Sequence, residues 1–230
     1  MLQYQLLKSG PLTSNYAEAA CFIRSDDPTL FPSLPPIALD SSSGPNAPDL
    51  ELVAMPSGYK NHGKEFVANG DFMSIGAIPL RPTSLGKIAL RSNDPFDPPV
   101  IDPNYLNTGH DIDTLVRGMR LALRLTQIEP LRSIIDQTDR SPGLDSGLID
   151  ANDETLEKVA PARAETAYHP TSTARIGRVA SSRLQRDAKH HLGTYGVRPE
   201  SCFMVIAAAA FAIGEKASDI IKAAYPPSLV

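Results

Sequence analysis

Residues 111–130 read DIDTLVRGMRLALRLTQIEP, and at this stretch the chain changes from strand-like to helical patterning. Apolar side chains recur mostly three or four positions apart from Ile112 to Leu123, as on one face of an amphipathic helix. Acidic residues in the first turn and arginines further along both suit the helix dipole. We therefore predict a helix that begins at Asp111 and ends near Pro130, since proline is a poor continuation.

Four short segments before this helix are predicted strands. Each is rich in apolar or alternating side chains and is bounded by turn-forming residues. They are 16–24 (YAEAACFIR), 49–55 (DLELVAM, which alternates charged and apolar residues as in a half-buried strand), 72–80 (FMSIGAIPL) and 87–91 (KIALR). The turn sequence between the last two predicts that they pair as an antiparallel hairpin.

The remaining segments predict loops and two further helices. Residues 25–48 contain six prolines and predict a long loop, and residues 93–106 (NDPFDPPVIDPNYL) predict a connection without regular structure. A weaker helix is predicted over 152–159, capped by its first or second residue and limited by Pro161, and an alanine-rich helix over 201–224. Strands followed by helices indicate an α+β fold, an antiparallel sheet flanked by helices, with the 111–130 helix on one face.

Composition excludes several classes of protein. The 230 residues include 22 Lys and Arg against 26 Asp and Glu, and the basic residues are scattered, so we expect no nucleic-acid partner. The apolar run over 202–213 is too short for a bilayer, and the first residues lack the pattern of a signal peptide, so we expect neither a membrane span nor an anchor. Cys21 and Cys202 fit no metal-ligand spacing, so we expect no metal, and the compartment stays open.

Histidine is the commonest general base near neutral pH, and the chain has five. His62 lies in a Gly/Asn loop and His110 lies directly before the predicted helix, where solvation or capping accounts for each. His190 and His191 lack further ligands at the spacing of a zinc site and are better explained as a solvated basic stretch.

His169 is framed differently. It lies in AETAYHPTSTARIG, residues 164–177, where a proline follows it and hydroxyl residues surround it. Two interpretations are open on the residues alone, an oriented catalytic imidazole or a histidine hydrogen-bonded in a turn. The chain has no G-x-G-x-x-G, G-x-x-x-x-G-K-S/T, G-x-S-x-G or H-E-x-x-H motif, which excludes the common self-contained catalytic cassettes.

This stretch resembles the C-terminal signature of the glucose-methanol-choline (GMC) oxidoreductases, flavoenzymes that oxidise alcohols, and is most similar to fungal aryl-alcohol-oxidase-like and choline-dehydrogenase-like members. The matching residues are Tyr168, His169, Pro170, Thr173 and Gly177. Three other segments resemble the opening of the family's substrate domain, its D-P-x-x-P stretch and its closing helix, namely residues 9–25, 80–106 and 212–221. The resemblance thus extends over nearly the whole chain.

The resemblance implies a substrate-binding domain over residues 1–160 and a C-terminal remnant of the FAD-binding domain, with active-site residues, over 161–230. It implies oxidation of a small primary alcohol by hydride transfer to FAD. The resemblance also implies that His169 faces the flavin and removes the hydroxyl proton, as a neutral imidazole can near pH 7.

Two departures from the family pattern qualify these expectations. The glycine-rich fingerprint of the flavin domain does not occur in this sequence, which implies that the chain alone does not bind FAD in the usual way and is inactive in isolation. The family's second catalytic position falls near Val205, whose side chain forms no hydrogen bond. The alternatives are a catalytically silent remnant or binding module, and a flavin domain supplied by a separate chain.

Overall fold

The structure is a computed structural model, and it describes residues 2–10, 13–37, 39–42, 44–65, 71–139 and 143–167, together with residues 218 and 222. The α-helices and strands of this part are α1 (Leu2–Leu7), β1 (Ala19–Ile23), β2 (Leu50–Met55), β3 (Ser74–Pro79), β4 (Lys87–Ala89), β5 (Val100–Asp102), α2 (Gly109–Leu125), α3 (Leu131–Ile134) and α4 (Asp153–Arg163). Two short 3-10 helices cover Asn61–Gly63 and Ser146–Leu148. The predicted helix over 201–224 lies outside the described residues apart from those two positions.

An antiparallel three-stranded sheet forms the centre of the described part, with β2 between β1 and β3. In its register Cys21 lies opposite Leu52, and Leu52 lies opposite Ala77. All four predicted strands are present, and the described residues of the 25–48 segment contain no helix or strand. The predicted α+β class, with an antiparallel sheet flanked by helices, is confirmed.

The predicted hairpin between the third and fourth strands is wrong. β3 pairs with β2, whereas β4 pairs with β5, which lies in the stretch predicted to have no regular structure. The reason lies in the connection after β3, which forms hydrogen bonds to the start of α2. The Asp111 carboxylate accepts hydrogen bonds from Thr83 N at 2.6 Å and Ser84 N at 3.0 Å, and this turns the chain away from the sheet.

The long helix α2 covers one face of the sheet, as predicted. Thr108 caps it, and the helix ends at Leu125, five positions before Pro130. At Gly118 an added Cβ would lie 2.8 Å from Ala77 Cβ and 2.9 Å from Leu50 Cδ1, so only glycine permits this approach. Because directly opposite residues in an antiparallel sheet share a face, these contacts identify the inner face of the sheet.

The last described helix, α4, packs against α2. Leu156 and Ala160 are buried in a cluster with two α2 residues, and Asn152 caps the helix by accepting from Thr155 N at 2.9 Å. The prediction that Pro161 limits the helix is wrong, because α4 extends to Arg163. A proline within the last turn removes only one intrahelical hydrogen bond, and Ala164 N donates to Ala160 O at 2.8 Å to close that turn.

Candidate functional site

The predicted catalytic residue His169 lies outside the described residues, as do Val205 and the His190-His191 pair. Its role therefore stays a prediction. The last continuous stretch of described residues ends at residue 167, two positions before His169. The residues that lead to His169 are therefore the described part of the chain that is nearest to it in sequence.

This approach segment is held by a contact between residues far apart in sequence. Glu165 Oε2 accepts a hydrogen bond from His62 N at 2.8 Å and lies 3.4 Å from His62 Nδ1. The side chains are 28% and 23% exposed for His62 and Glu165, so the pair is shielded from solvent over most of its surface. The sequence interpretation, which explained His62 by solvation, missed this contact because nothing local relates positions 103 residues apart.

The backbone at His62 is also unusual. His62 has φ 54° and the preceding Asn61 has φ 48°, which places two consecutive residues other than glycine in the left-handed region. Such residues cost free energy, and they persist where surrounding contacts hold them. The Glu165 carboxylate supplies one such contact, so the loop and the approach to His169 restrain each other.

Aromatic and hydroxyl groups lie at the same end of the sheet, where β2 ends and β3 begins. The Tyr16 hydroxyl lies 2.6 Å from Ser57 Oγ, and the Tyr16 and Tyr59 rings meet edge to face at 6.5 Å. Tyr59 N donates to Ser74 Oγ at 2.8 Å, which fixes the loop to the first residue of β3. We call residues 57–62 the sheet-end loop. It brings phenol, hydroxyl and imidazole groups near the chain that leads to His169.

A buried carboxyl lies on the outer face of the sheet, the face away from α2. Glu51 is fully buried, and neither of its carboxyl oxygens has a hydrogen-bond partner among the described residues. Burial raises the pKa of Glu51 to about 7. Asp49 is also buried, but it accepts from Ser25 N at 2.7 Å and Ser25 Oγ at 2.5 Å. The alternating pattern, which predicted a half-buried strand, did not indicate this burial.

The other candidate features of the described part are structural. His110 Nε2 lies 2.9 Å from Ser41 Oγ, which ties the long loop to α2. A groove of about 520 Å³ lies between residues 30–34 and α2, but its arginines already have partners. Arg124 donates to Leu30 O at 2.7 Å, and Arg120 pairs with Asp153. The groove is therefore the packing interface between the 25–48 loop and α2.

The described residues form neither a cluster of metal ligands nor a membrane-spanning helix. Within the described ranges no three His, Cys, Asp or Glu side chains come together as metal ligands would. No helix there has the length and apolarity needed to cross a bilayer. The two sheets are antiparallel throughout, so the described part contains no β-α-β unit of the kind that holds a dinucleotide. These residues do not fit FAD by themselves.

A family model and several relatives of known class match this chain. A family model described as GMC oxidoreductase, for the C-terminal part of such proteins, matches residues 82–192. The chain is 34% identical to a dehydrogenase from Strobilurus tenacellus, over 96% of this chain and 40% of that protein. It is 31% identical to human mitochondrial choline dehydrogenase, over 79% of this chain and 31% of that protein.

The fold has a solved counterpart. A crystal structure of formate oxidase superimposes with a TM-score of 0.68 at 22% identity, covering 100% of this chain and 42% of that one. A variant structure of the Aspergillus oryzae formate oxidase gives a TM-score of 0.67 at 24% identity. The chain spans about 40% of the length of the first relatives it matches.

Proposed function

Because the chain belongs to the GMC oxidoreductase family, as a C-terminal portion, we propose that it supplies the substrate side of an alcohol oxidoreductase with His169 as the base. The proposed substrate is a small primary alcohol. Residues 1–160 form the substrate-binding domain in this proposal, and residues 161–230 complete the active site.

The observation that carries the proposal is the contact between His62 and Glu165. It holds the segment four residues before His169 against the sheet-end loop, whose aromatic and hydroxyl side chains suit a small alcohol. A base must be held within hydrogen-bond reach of the proton it removes. Glu165 and His62 therefore act as positioning residues for the stretch that carries His169.

The chemistry asked of this chain is a proton transfer. A neutral imidazole accepts the hydroxyl proton near pH 7, and hydride leaves the carbinol carbon as alkoxide character develops. FAD, on which members of the family depend, would accept that hydride when bound. Since the described residues do not form a dinucleotide cradle, we propose that FAD is held by polypeptide outside them.

The ribbon formed by β4, β5 and the loop between them supports the proposal that other polypeptide holds FAD. Leu90 is 86% exposed, Phe96 92% and Ile101 65%. Exposed apolar side chains in such numbers typically mark a surface that another polypeptide covers. A flavin-binding portion, in the same chain or supplied separately, is the partner that we propose for this ribbon.

A catalytically silent binding module is the second candidate, and one specific residue favours it. The second catalytic position of the family falls near Val205, which can neither donate nor accept a hydrogen bond. A chain that binds an alcohol without oxidising it would tolerate valine there.

One experiment separates these possibilities. The 230-residue chain is purified with FAD added, alone and co-expressed with the flavin-binding portion of the Strobilurus relative, and is assayed for bound flavin absorbance and benzyl alcohol oxidation. We expect colour and turnover only with the second polypeptide, and a loss of about 100-fold or more in turnover for His169→Ala. His191→Ala is the matched control. Colour without turnover would favour the silent module, and turnover independent of His169 would refute its role.

A further inference from the structure

The chain that leaves α4 toward His169 is held by two ion contacts. Arg163, the last residue of α4, pairs with Asp145, and two positions later Glu165 contacts His62. Arginine and carboxylate groups keep their charges near neutral pH, whereas an imidazole changes charge between pH 5 and 8. The contact with His62 is therefore the one of the two that contains a side chain of this titrating kind.

The His62–Glu165 contact has one part that protonation leaves unchanged and one part that protonation strengthens. His62 N donates to Glu165 Oε2 at 2.8 Å, and this backbone bond does not depend on the charge of the ring. His62 Nδ1 lies 3.4 Å from the same oxygen. A protonated imidazole carries N–H groups on both ring nitrogens and a positive charge, so it attracts the carboxylate more strongly than the neutral ring does. Since most of both side chains is shielded from solvent, water screens this attraction less than on an open surface.

The charged neighbours of His62 among the described residues are two lysines and one glutamate of its own loop, and the arginine ion pair at the end of α4. Glu65 accepts from Asn61 Nδ2 at 2.9 Å and lies 3.2 Å from Lys60 Nζ, and these hydrogen bonds lower the pKa of Glu65. Glu65 therefore stays ionised near neutral pH, and Lys60 and Lys64 contribute ammonium charges. A change of the contact between pH 6 and pH 8 is thus assigned to the imidazole.

The backbone around His62 favours a change of shape when the contact weakens. Asn61, His62 and Gly63 have φ values of 48°, 54° and 70°, so three consecutive residues lie in the left-handed region. This conformation costs free energy for the two residues other than glycine and persists where contacts hold it. A weaker carboxylate contact therefore favours relaxation of the loop, and relaxation releases Glu165 and the segment that follows it.

We propose that protonation of His62 controls how firmly the stretch before His169 is held, so that the His62–Glu165 contact is a pH-sensitive restraint on the active-site segment. This inference rests on the proposed function, because the restraint acts on catalysis only where His169 is the base. As the pH falls from 8 to 6 the imidazolium form of a histidine grows, and the contact strengthens. His169 itself must be neutral to accept a proton. The two requirements oppose each other, so the reaction is fastest over a restricted pH range.

The test measures hydrogen exchange of the 230-residue chain at pH 6 and pH 8, amide by amide, with each rate corrected for the intrinsic pH dependence of exchange. The His62 amide is itself the donor in the contact, and the amides of 165–167 lie in the restrained segment. We expect their protection factors to be about two- to fivefold higher at pH 6, as for a partly exposed ion pair. Equal protection of the wild-type chain at both pH values would overturn the inference.

Two variants assign the effect to the contact. His62→Asn removes the imidazole but keeps the N–H donor, and asparagine tolerates left-handed backbone, so the pH ratio of protection should fall to about one. Glu165→Gln keeps an acceptor oxygen without the charge and should abolish the ratio as well. His110→Asn, which removes a histidine bonded to Ser41 at the start of α2, is the matched control and should keep the ratio. A ratio that survives either His62→Asn or Glu165→Gln would overturn the inference.

Turnover with the co-expressed flavin-binding portion distinguishes this restraint from the proposed function. We expect the ratio of wild-type to His62→Asn turnover to be about two to five at pH 6 and close to one at pH 8, whereas a merely structural role lowers turnover equally at both. An equal ratio would overturn the inference. Turnover that depends on His169 without pH-dependent protection would remove the restraint and leave the proposed function standing. Protection that depends on pH through His62, without turnover in the wild type, would do the reverse.

Discussion

Replacing Glu51 by glutamine should stabilise the protein at high pH and not at low pH. The carboxyl has an ordinary pKa of 4.5 in the unfolded chain, and burial raises its pKa to about 7 in the folded chain. Below pH 4.5 both states are protonated, and the group does not affect folding. As the pH rises from there through 7 the unfolded state ionises more readily, so stability falls. Each pKa unit corresponds to 1.36 kcal/mol, so the full penalty above neutrality is about 3 kcal/mol.

Urea unfolding of the wild-type chain and Glu51→Gln near pH 5 and pH 8 measures this penalty. Glutamine brings a buried amide that also lacks partners and costs about 1–3 kcal/mol at both pH values. The informative quantity is therefore the change in the variant's relative stability between the two pH values, which we expect to be about 2–3 kcal/mol in favour of glutamine. Glu157→Gln should show almost no change because that residue is exposed. An equal effect of Glu51→Gln at both pH values would refute the reasoning.

Three further predictions concern the scaffold. Gly118→Ala should cost about 1–3 kcal/mol in thermal unfolding because its Cβ would meet the sheet at 2.8 Å, whereas Gly109→Ala, with no atom within 4 Å, should not destabilise; equal melting temperatures would contradict this. Asp111→Ala should cost about 3 kcal/mol in urea unfolding by removing the buried acceptor of several donors, and a loss below about 0.5 kcal/mol would show that those bonds contribute little. Arg117→Met should speed amide hydrogen exchange over 25–37, because its guanidinium donates to two carbonyls of that loop at 3.1 and 2.6 Å; unchanged exchange would exclude this role.

The predicted elements were recognised where local pattern and local structure coincide. The helical period from Ile112 to Leu123 lies within α2, and the Asn152 cap was recognisable from its type and position. Boundaries depended on contacts that a pattern does not contain. α4 passes Pro161 because the proline removes only one bond in a last turn, which further packing and the Ala164 bond compensate.

The sequence indicated only some of the residues of the candidate site. The residues around His169 resemble a family signature, and the predicted chemistry and its base come from that resemblance, since the residue types alone left two interpretations open. His62 and Glu51 were missed for physical reasons. The partner of His62 is 103 residues away, and the residues directly opposite Glu51 in the sheet belong to two other strands. Neither relation leaves a periodic or compositional signal.

Local side-chain chemistry therefore determined the α+β class, the helix on the sheet and the family to which the chain belongs, because periodicity, capping and a short motif are properties of neighbouring residues. The tertiary structure decided which strands pair, which carboxyl is buried without a hydrogen-bond partner among the described residues, and which loop holds the approach to His169. Strand pairing and burial join residues tens to more than a hundred positions apart, and their free energies arise only when those residues meet.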